Sequence, residues 1–176
     1  MVTTDKNEFF EKSKTFFESN DVSNSLESYE KAISYINRKD KTSYIQFLNK
    51  ILDHCRTNNL KEEEAIALRH LGRTYSVFKL YVESLKYHEQ ALKIQRKLGN
   101  QLDVAEGLLF LAEDLEVSGN YDGALSAYKD AAEIFRELGK LKQAKDVQKQ
   151  IKRLELFTKE MVEDEYLLNR FHVDKY

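Results

Sequence analysis

The feature that most constrains this chain is an internal repeat with a period of 40 residues. Residues 65–99, shifted forward by that period, align with residues 105–139. A fixed period of this size is typical of repeat proteins, whose units cannot bury their apolar faces alone and therefore stack on their neighbours. The identical pairs are Ala65/Ala105, Leu68/Leu108, Leu71/Leu111, Val77/Val117, Tyr81/Tyr121, Leu85/Leu125, Ala91/Ala131, Ile94/Ile134, Arg96/Arg136, Leu98/Leu138 and Gly99/Gly139.

The repeated units are predicted to be helical. The 176 residues include no proline and only six glycines, and apolar residues recur at helical spacing between short polar breaks. Gly99, Gly119 and Gly139 each follow such a segment, where a glycine in the left-handed conformation ends a helix. The sequence therefore predicts an all-α fold of about eight helices. Their expected ranges are 5–18, 23–37, 42–56, 61–78, 81–97, 101–118, 121–138, and 141 into the 160s.

Charge and cysteine content argue against several classes of protein. The formal net charge is −2, so no global field favours binding to nucleic acid or to an anionic membrane. The chain has no apolar signal segment and no run long enough to cross a membrane. Its single cysteine, Cys55, cannot form an internal disulfide, and with the absence of a signal segment this favours a cytoplasmic location.

No pattern of catalytic residues stands out. His54 and Cys55 are adjacent, but neighbours on a helix point in different directions and do not form a nucleophile–base pair. His70 and His88 fall at repeat positions and are expected to pack in the core. No spacing typical of a metal site and no glycine-rich phosphate loop occurs. We therefore expect no catalytic residues, no metal and no cofactor, and the chain is not expected to be an enzyme.

The repeats also carry a more specific motif. The first copy reads Leu68-x-x-Leu71-Gly72-x-x-Tyr75, then Tyr81-x-x-Ser84-Leu85-x-x-His88-x-x-Ala91-Leu92; the second reads Leu108-x-x-Leu111-Ala112-x-x-Leu115, then Tyr121-x-x-Ala124-Leu125-x-x-Tyr128-x-x-Ala131. This motif resembles the tetratricopeptide repeat, and the spacing of 40 residues with the Leu-Gly pair that ends each unit resembles the long-helix subclass found in kinesin light chains and related adaptors. The resemblance implies a right-handed α-solenoid of antiparallel helix pairs that binds a peptide or helix of another protein in a concave groove.

The predicted organisation is a tetratricopeptide-like domain over residues 1–157, followed by an amphipathic extension over residues 158–176. The helix at 42–56 does not fit the repeat period. It is either an inserted helix or the partner of 23–37 in a shifted pairing, and the sequence does not decide between these alternatives. Within the domain we expect a partial repeat at 5–37, the clearest repeats at 65–99 and 105–139, the out-of-phase helix at 42–56 and a capping helix at 141–157.

The resemblance also suggests which residues contact a partner. Arg69 and Arg73 are four residues apart and share one face of a helix. They could bind a carboxylate or phosphate, which would favour an acidic partner, or they could pair within the chain with Glu106 and Glu113. Leu109 and Phe110 are adjacent, so one of them must leave the core. The candidate partner-binding residues are Arg69, Arg73, Leu109, Phe110, Glu113, Lys149 and Arg153.

The C-terminal extension, Thr158–Tyr176, mixes apolar and acidic residues and is too apolar for a free disordered tail. We expect it to extend the last helix and cover the end of the core. A second hypothesis is that Glu163–Phe171 docks in a groove of the same chain or of another copy. The alternative function is accordingly a structural subunit, packed constitutively into a larger complex or a homo-oligomer through its ends and this tail.

Overall fold

The computed structural model describes residues 8–173, and their side chains as far as residue 164. All regular secondary structure in this range is helical, as predicted. The eight α-helices are α1 (Glu8–Glu18), α2 (Val22–Ala32), α3 (Lys41–Thr57), α4 (Lys61–Val77), α5 (Tyr81–Leu98), α6 (Gln101–Val117), α7 (Tyr121–Glu137) and α8 (Leu141–Val173), and a 3-10 turn, Ile33–Tyr35, follows α2.

The turns between helices use left-handed backbone conformations. Gly99, Gly119 and Gly139 have φ angles of 76°, 86° and 69°, which confirms their predicted role as helix-ending glycines. Asn20, Asn59 and Lys79 hold the same conformation, with φ angles of 62°, 56° and 59°. Apart from residues 33–40 between α2 and α3, each connection is two or three residues long, so the helices that it joins form antiparallel pairs.

The hairpin of α1 and α2 has the same internal geometry as the hairpin of α4 and α5. Ser25 Oγ donates a hydrogen bond to the Ser13 carbonyl oxygen at 2.8 Å, and Ser84 Oγ lies 2.7 Å from the Gly72 carbonyl oxygen. Both pairs join residues that are twelve positions apart. Helices α1 and α2 are therefore built like a repeat, and α2 also packs on α4, the first helix of the following hairpin.

Helix α3 follows the first hairpin and packs on α1 and α4. Its aromatic rings contact α1: the centroid of Phe10 lies 4.3 Å from that of Tyr44 and 5.4 Å from that of Phe47. Its other end pairs with α4 through Arg56 Nε and Glu64 Oε1, 3.0 Å apart. Since α2 contacts α4 directly, these contacts favour the inserted helix over the shifted pairing.

Helix α8 closes the array and then projects beyond it. Ala144, Val147, Ile151 and Leu154 are buried against α7. The helix continues through the expected boundary between residues 157 and 158 without a break. Beyond Leu154 its apolar side chains are exposed as far as residue 164, and the side chains of residues 165–171 in the proposed docking segment lie outside the described part.

Candidate protein-binding groove

Two open clefts lie along the face formed by α2, α4, α6 and α8. Their volumes are about 460 and 520 Å³. Helices α4 and α6 present equivalent positions to this face, because one repeat period separates them. The equivalent pairs are Arg69/Leu109, Arg73/Glu113 and Val77/Val117, and the second residue of each pair lines the second cleft. The N-terminal cleft is lined by Ser23, Leu26, Glu27, Glu30, Glu62, Glu63, Ile66, Arg69, His70 and Glu106, and the C-terminal cleft by Leu109, Glu113, Glu116, Val117, Tyr128, Asp146, Val147, Gln150 and Arg153.

Arg69 of the N-terminal cleft pairs with carboxylates of α6. Its Nη1 lies 3.3 Å from Asp103 Oδ1 and 3.5 Å from Glu106 Oε2. The pair with Glu106 is one of the alternatives that the sequence left open. The Arg69 side chain is largely buried, at 13% exposure, and these two carboxylates already compensate its charge within the chain.

Arg73 connects the two clefts, although it lines neither. Its Nη1 donates a hydrogen bond to Glu30 Oε1 on α2, so its ion pair is with Glu30, whereas the sequence left a pair with Glu113 open as one alternative. The guanidinium also lies 4.5 Å from the ring centroid of Phe110. The Phe110 ring in turn stacks on the buried His88 at a centroid distance of 6.0 Å. Arg73 and Phe110 are thus brought together, as a cation–π pair.

The remaining candidates lie in or beside the C-terminal cleft. Arg153 Nη2 donates to both carboxylate oxygens of Glu116, at 2.8 and 2.7 Å. Lys149 lines neither cleft and pairs with Asp146 Oδ1 at 2.9 Å. Leu109 is half-buried in the cleft wall. The arginines and Lys149 therefore all have a carboxylate of the same chain beside them, which weakens the expectation of an acidic partner.

Glu113 is exposed in the C-terminal cleft. Desolvation by the surrounding side chains and the neighbouring carboxylates Asp114 and Glu116 raise the pKa of Glu113 above its usual range, although Arg73 opposes this shift. A carboxylate surrounded by other carboxylates binds a cation readily.

A buried polar cluster beneath the groove was not predicted from the sequence. Asp114 accepts a hydrogen bond from Ser76 Oγ at 2.6 Å and a second one from the Ser84 hydroxyl. His88 Nε2 lies 3.4 Å from its Oδ2. Burial disfavours the ionised carboxylate, but the hydrogen bonds from His88, Ser76 and Ser84 hold the pKa of Asp114 below its usual range. The cluster joins α4, α5 and α6 and fixes the stacking of two repeats.

His70 is buried in the wall of the N-terminal cleft, with 1% of its side chain exposed. Its Nε2 lies 3.1 Å from the Leu26 carbonyl oxygen, and its Nδ1 lies 3.3 Å from Glu30 Oε2. Burial lowers the pKa of His70 to about 3, despite the opposing effect of Glu30. The ring is therefore neutral at pH 7.

Two kinds of feature are absent from the described residues: a cluster of metal ligands and a membrane-spanning helix. Among those residues, no three side chains of His, Cys, Asp or Glu converge as ligands for a metal ion. No helix there combines the length and the apolar character that a membrane crossing requires.

Part of the chain is similar to a known family of repeats. Residues 63–137 match the family model described as tetratricopeptide repeat. The crystal structure of the apo form of RapI is similar to this chain with a TM-score of 0.46 and 14% sequence identity, over 99% of this chain and 78% of that one. No curated protein matches the sequence. The resemblance to kinesin light chains is not confirmed by these comparisons.

Proposed function

We propose that this chain, whose residues 63–137 are tetratricopeptide repeats, is a non-catalytic adaptor that binds a segment of another protein in the groove of α4, α6 and α8. The observation that carries this proposal is the pair of clefts on one face, which share two positions one repeat period apart, Arg69/Leu109 and Glu106/Asp146. Each cleft combines apolar and charged side chains, as binding grooves for extended or helical segments do.

The central contact of the proposed groove is the stack of Arg73, Phe110 and His88. Phe110 contacts both the Arg73 guanidinium and the His88 ring. A fixed aromatic side chain loses little conformational entropy when a partner packs against it, which is why such residues anchor many interfaces. Leu109, beside it in the sequence, adds apolar surface to the C-terminal cleft.

A selection from a library of short random peptides, displayed on phage, tests this proposal. The full chain serves as bait, and peptides that still bind a Val117→Arg variant are removed. Val117 is 63% exposed and lines the C-terminal cleft, whereas Val82, at 81% exposure, lines neither of the two clefts and provides the matched Val82→Arg control. We expect peptides whose affinity falls at least about tenfold for Val117→Arg alone. Equal losses for both variants, or no selected peptide, would contradict the proposal.

One observation favours the alternative function of a structural subunit. The exposed part of α8 carries Leu156, Phe157, Met161 and Val162, with exposures of 62%, 42%, 44% and 67%. A row of exposed apolar residues on one helix is a common feature of assembly surfaces. Light scattering over a concentration series tests this alternative, since a stable monomer of 20.7 kDa would exclude a homo-oligomer. The cytoplasmic location stays a prediction.

A further inference from the structure

The N-terminal cleft has an excess of negative charge. Five of its ten lining residues are glutamates, namely Glu27, Glu30, Glu62, Glu63 and Glu106, against one arginine, Arg69. Leu26 and Ile66 provide an apolar part of its surface. A long aliphatic stem with a cationic end matches this combination, because the stem covers apolar surface while the charge meets the carboxylates.

His70 provides a second observation that points to a ligand. A backbone carbonyl oxygen can only accept, so the contact of Nε2 with the Leu26 carbonyl assigns the ring proton to Nε2. Nδ1 then carries a lone pair, and it lies 3.3 Å from Glu30 Oε2, which is also an acceptor. Neither atom has a hydrogen-bond partner among the described residues. Two acceptors therefore face each other without a donor.

The cations around this pair do not supply the missing donor. Arg73 donates to the other carboxylate oxygen of Glu30, and Arg69 Nη1 pairs with Asp103 and Glu106. The Glu30 side chain is 43% exposed, so it can turn its carboxylate toward the open cleft. There it would relieve the contact with His70 and accept hydrogen bonds from a cation that enters.

Arg69 has an unused donor in the same cleft. Its Nε is buried and has no acceptor among the described residues. A peptide that inserts a basic side chain also brings backbone carbonyl oxygens, and one of these can accept from this guanidinium. The unsatisfied groups of the cleft, two acceptors and one donor, thus match a basic residue within a peptide better than a free metal ion.

We propose that the N-terminal cleft receives an arginine or lysine side chain of the bound protein segment. This inference rests on the proposed function and specifies its partner: the chain selects segments with a basic residue at the position that faces α2. It replaces the acidic partner expected from Arg69 and Arg73, because both arginines already pair with carboxylates of the chain.

The direct test is an NMR titration of the ¹⁵N-labelled full chain with N-acetyl-arginine amide. N-acetyl-citrulline amide, which is neutral and nearly isosteric, is the matched control. We expect saturable shifts of amides around the cleft in α2 and α4, with a dissociation constant on the order of millimolar for arginine and little response to citrulline. Equal responses to both compounds would overturn the inference.

Variants of the cleft sharpen this test. Glu30→Gln and Glu106→Gln keep the size of the side chains and should each weaken arginine binding by roughly threefold to tenfold. Glu133→Gln, on the exposed face of α7 and outside this cleft, should leave it unchanged. Because Glu30→Gln removes the partner of Arg73, Glu106→Gln serves as the second variant if the first one unfolds. Binding that both cleft variants leave intact would refute the assignment.

The outcome is separable from that of the adaptor proposal. If selected peptides depend on Val117 but lack basic residues, and the capped arginine does not bind, the cleft inference fails and the adaptor proposal stands. If the capped arginine binds with the expected dependence on Glu30 and Glu106 but no groove-dependent peptide is selected, the adaptor proposal fails while the cleft remains a site for basic side chains.

Discussion

At the scale of single residues, the ring of His88 occupies the space that a side chain at position 72 would need. A Cβ atom at Gly72 would lie 2.6 to 2.8 Å from three atoms of this ring. The ring cannot easily retreat, since Phe110 stacks on it and Asp114 lies beside its Nε2. Gly72 is thus required by the contact between α4 and α5, and not by its backbone conformation.

We expect Gly72→Ala to lower the free energy of unfolding by about 1–3 kcal/mol, because the added methyl group overpacks this contact. Chemical denaturation followed by circular dichroism measures the change. Ala112, which is fully buried, is the equivalent residue one period later, and Ala112→Gly should cost about 1–2 kcal/mol through helix propensity and the lost buried methyl group. A gain in stability for Gly72→Ala would show that the ring moves freely.

Gln95 presents the opposite case, a polar side chain that the core leaves unsatisfied. It is 2% exposed, and neither its amide nitrogen nor its amide oxygen has a partner among the described residues. One period later the buried residue is Phe135. We expect Gln95→Met to raise the free energy of unfolding by about 1–2 kcal/mol, since it removes two unpaired buried atoms at similar volume. A loss of stability in the denaturation curve would contradict this interpretation.

His70 makes stability depend on pH. Its folded pKa of about 3 lies below the usual value of 6.5, so the unfolded chain binds more protons than the folded one between these values. Neutral His70 thus supports folding above pH 6.5, and this support is lost as the pH falls. Glu30 from α2 and the adjacent Arg69 and Arg73 are the charged groups that act on it.

Between pH 6.5 and 5 we expect His70 to contribute a slope approaching about 1.4 kcal/mol per pH unit. Urea denaturation at several pH values measures it, with His70→Gln as the comparison. The variant should show a shallower slope over this range. If the slopes of the two proteins are the same, the histidine is not held neutral in the fold.

At the scale of helices, α8 has two parts with different roles. Among its side chains described as far as residue 164, the last buried one is Leu154, which is fully buried. We expect Leu154→Ala to cost about 2–5 kcal/mol through the cavity it leaves. Truncation after Lys159 should change stability by less than about 1 kcal/mol, because Met161 and Val162 are exposed. Thermal unfolding of both proteins checks this, and a large loss on truncation would mean that the extension covers the core.

The helices that the repeat period marks were predictable, and their long-range contacts were not. Repeated residues such as Leu68 and Leu108 predicted α4 to α7, and the glycines marked three of the turns. The contact of Arg73 with Glu30 joins residues 43 positions apart across the inserted α3. No period relates these two residues, so a preference for Glu30 over Glu113 was not predictable.

The same limit applies to the candidate site. The groove residues of α4 and α6 were predictable from the repeat, because equivalent positions of stacked helices face one surface. The contribution of α2 to the N-terminal cleft was not predictable, because the position of α2 beside α4 depends on how the intervening helix α3 packs. The pair of the buried Glu64 with Arg56 of α3 was not predictable for the same reason. In the sequence, Glu64 resembles any acidic residue in the first turn of a helix.

At the scale of the whole molecule, the two proposed functions use two different surfaces: a groove that binds a partner, and an end that joins an assembly. The groove lies on α4, α6 and the part of α8 as far as Arg153, whereas the exposed apolar residues lie on α8 after Leu154. Because these surfaces occupy different parts of the chain, a bound segment should slow backbone exchange in one of them and not in the other.

The most direct test is amide hydrogen–deuterium exchange of the full chain with and without a peptide from the selection. We predict slower exchange in α4 and α6 on peptide binding, with α3 and the part of α8 after Thr158 unchanged. Slower exchange confined to the part of α8 after Thr158 would contradict the groove proposal and would favour a structural subunit that assembles through its end.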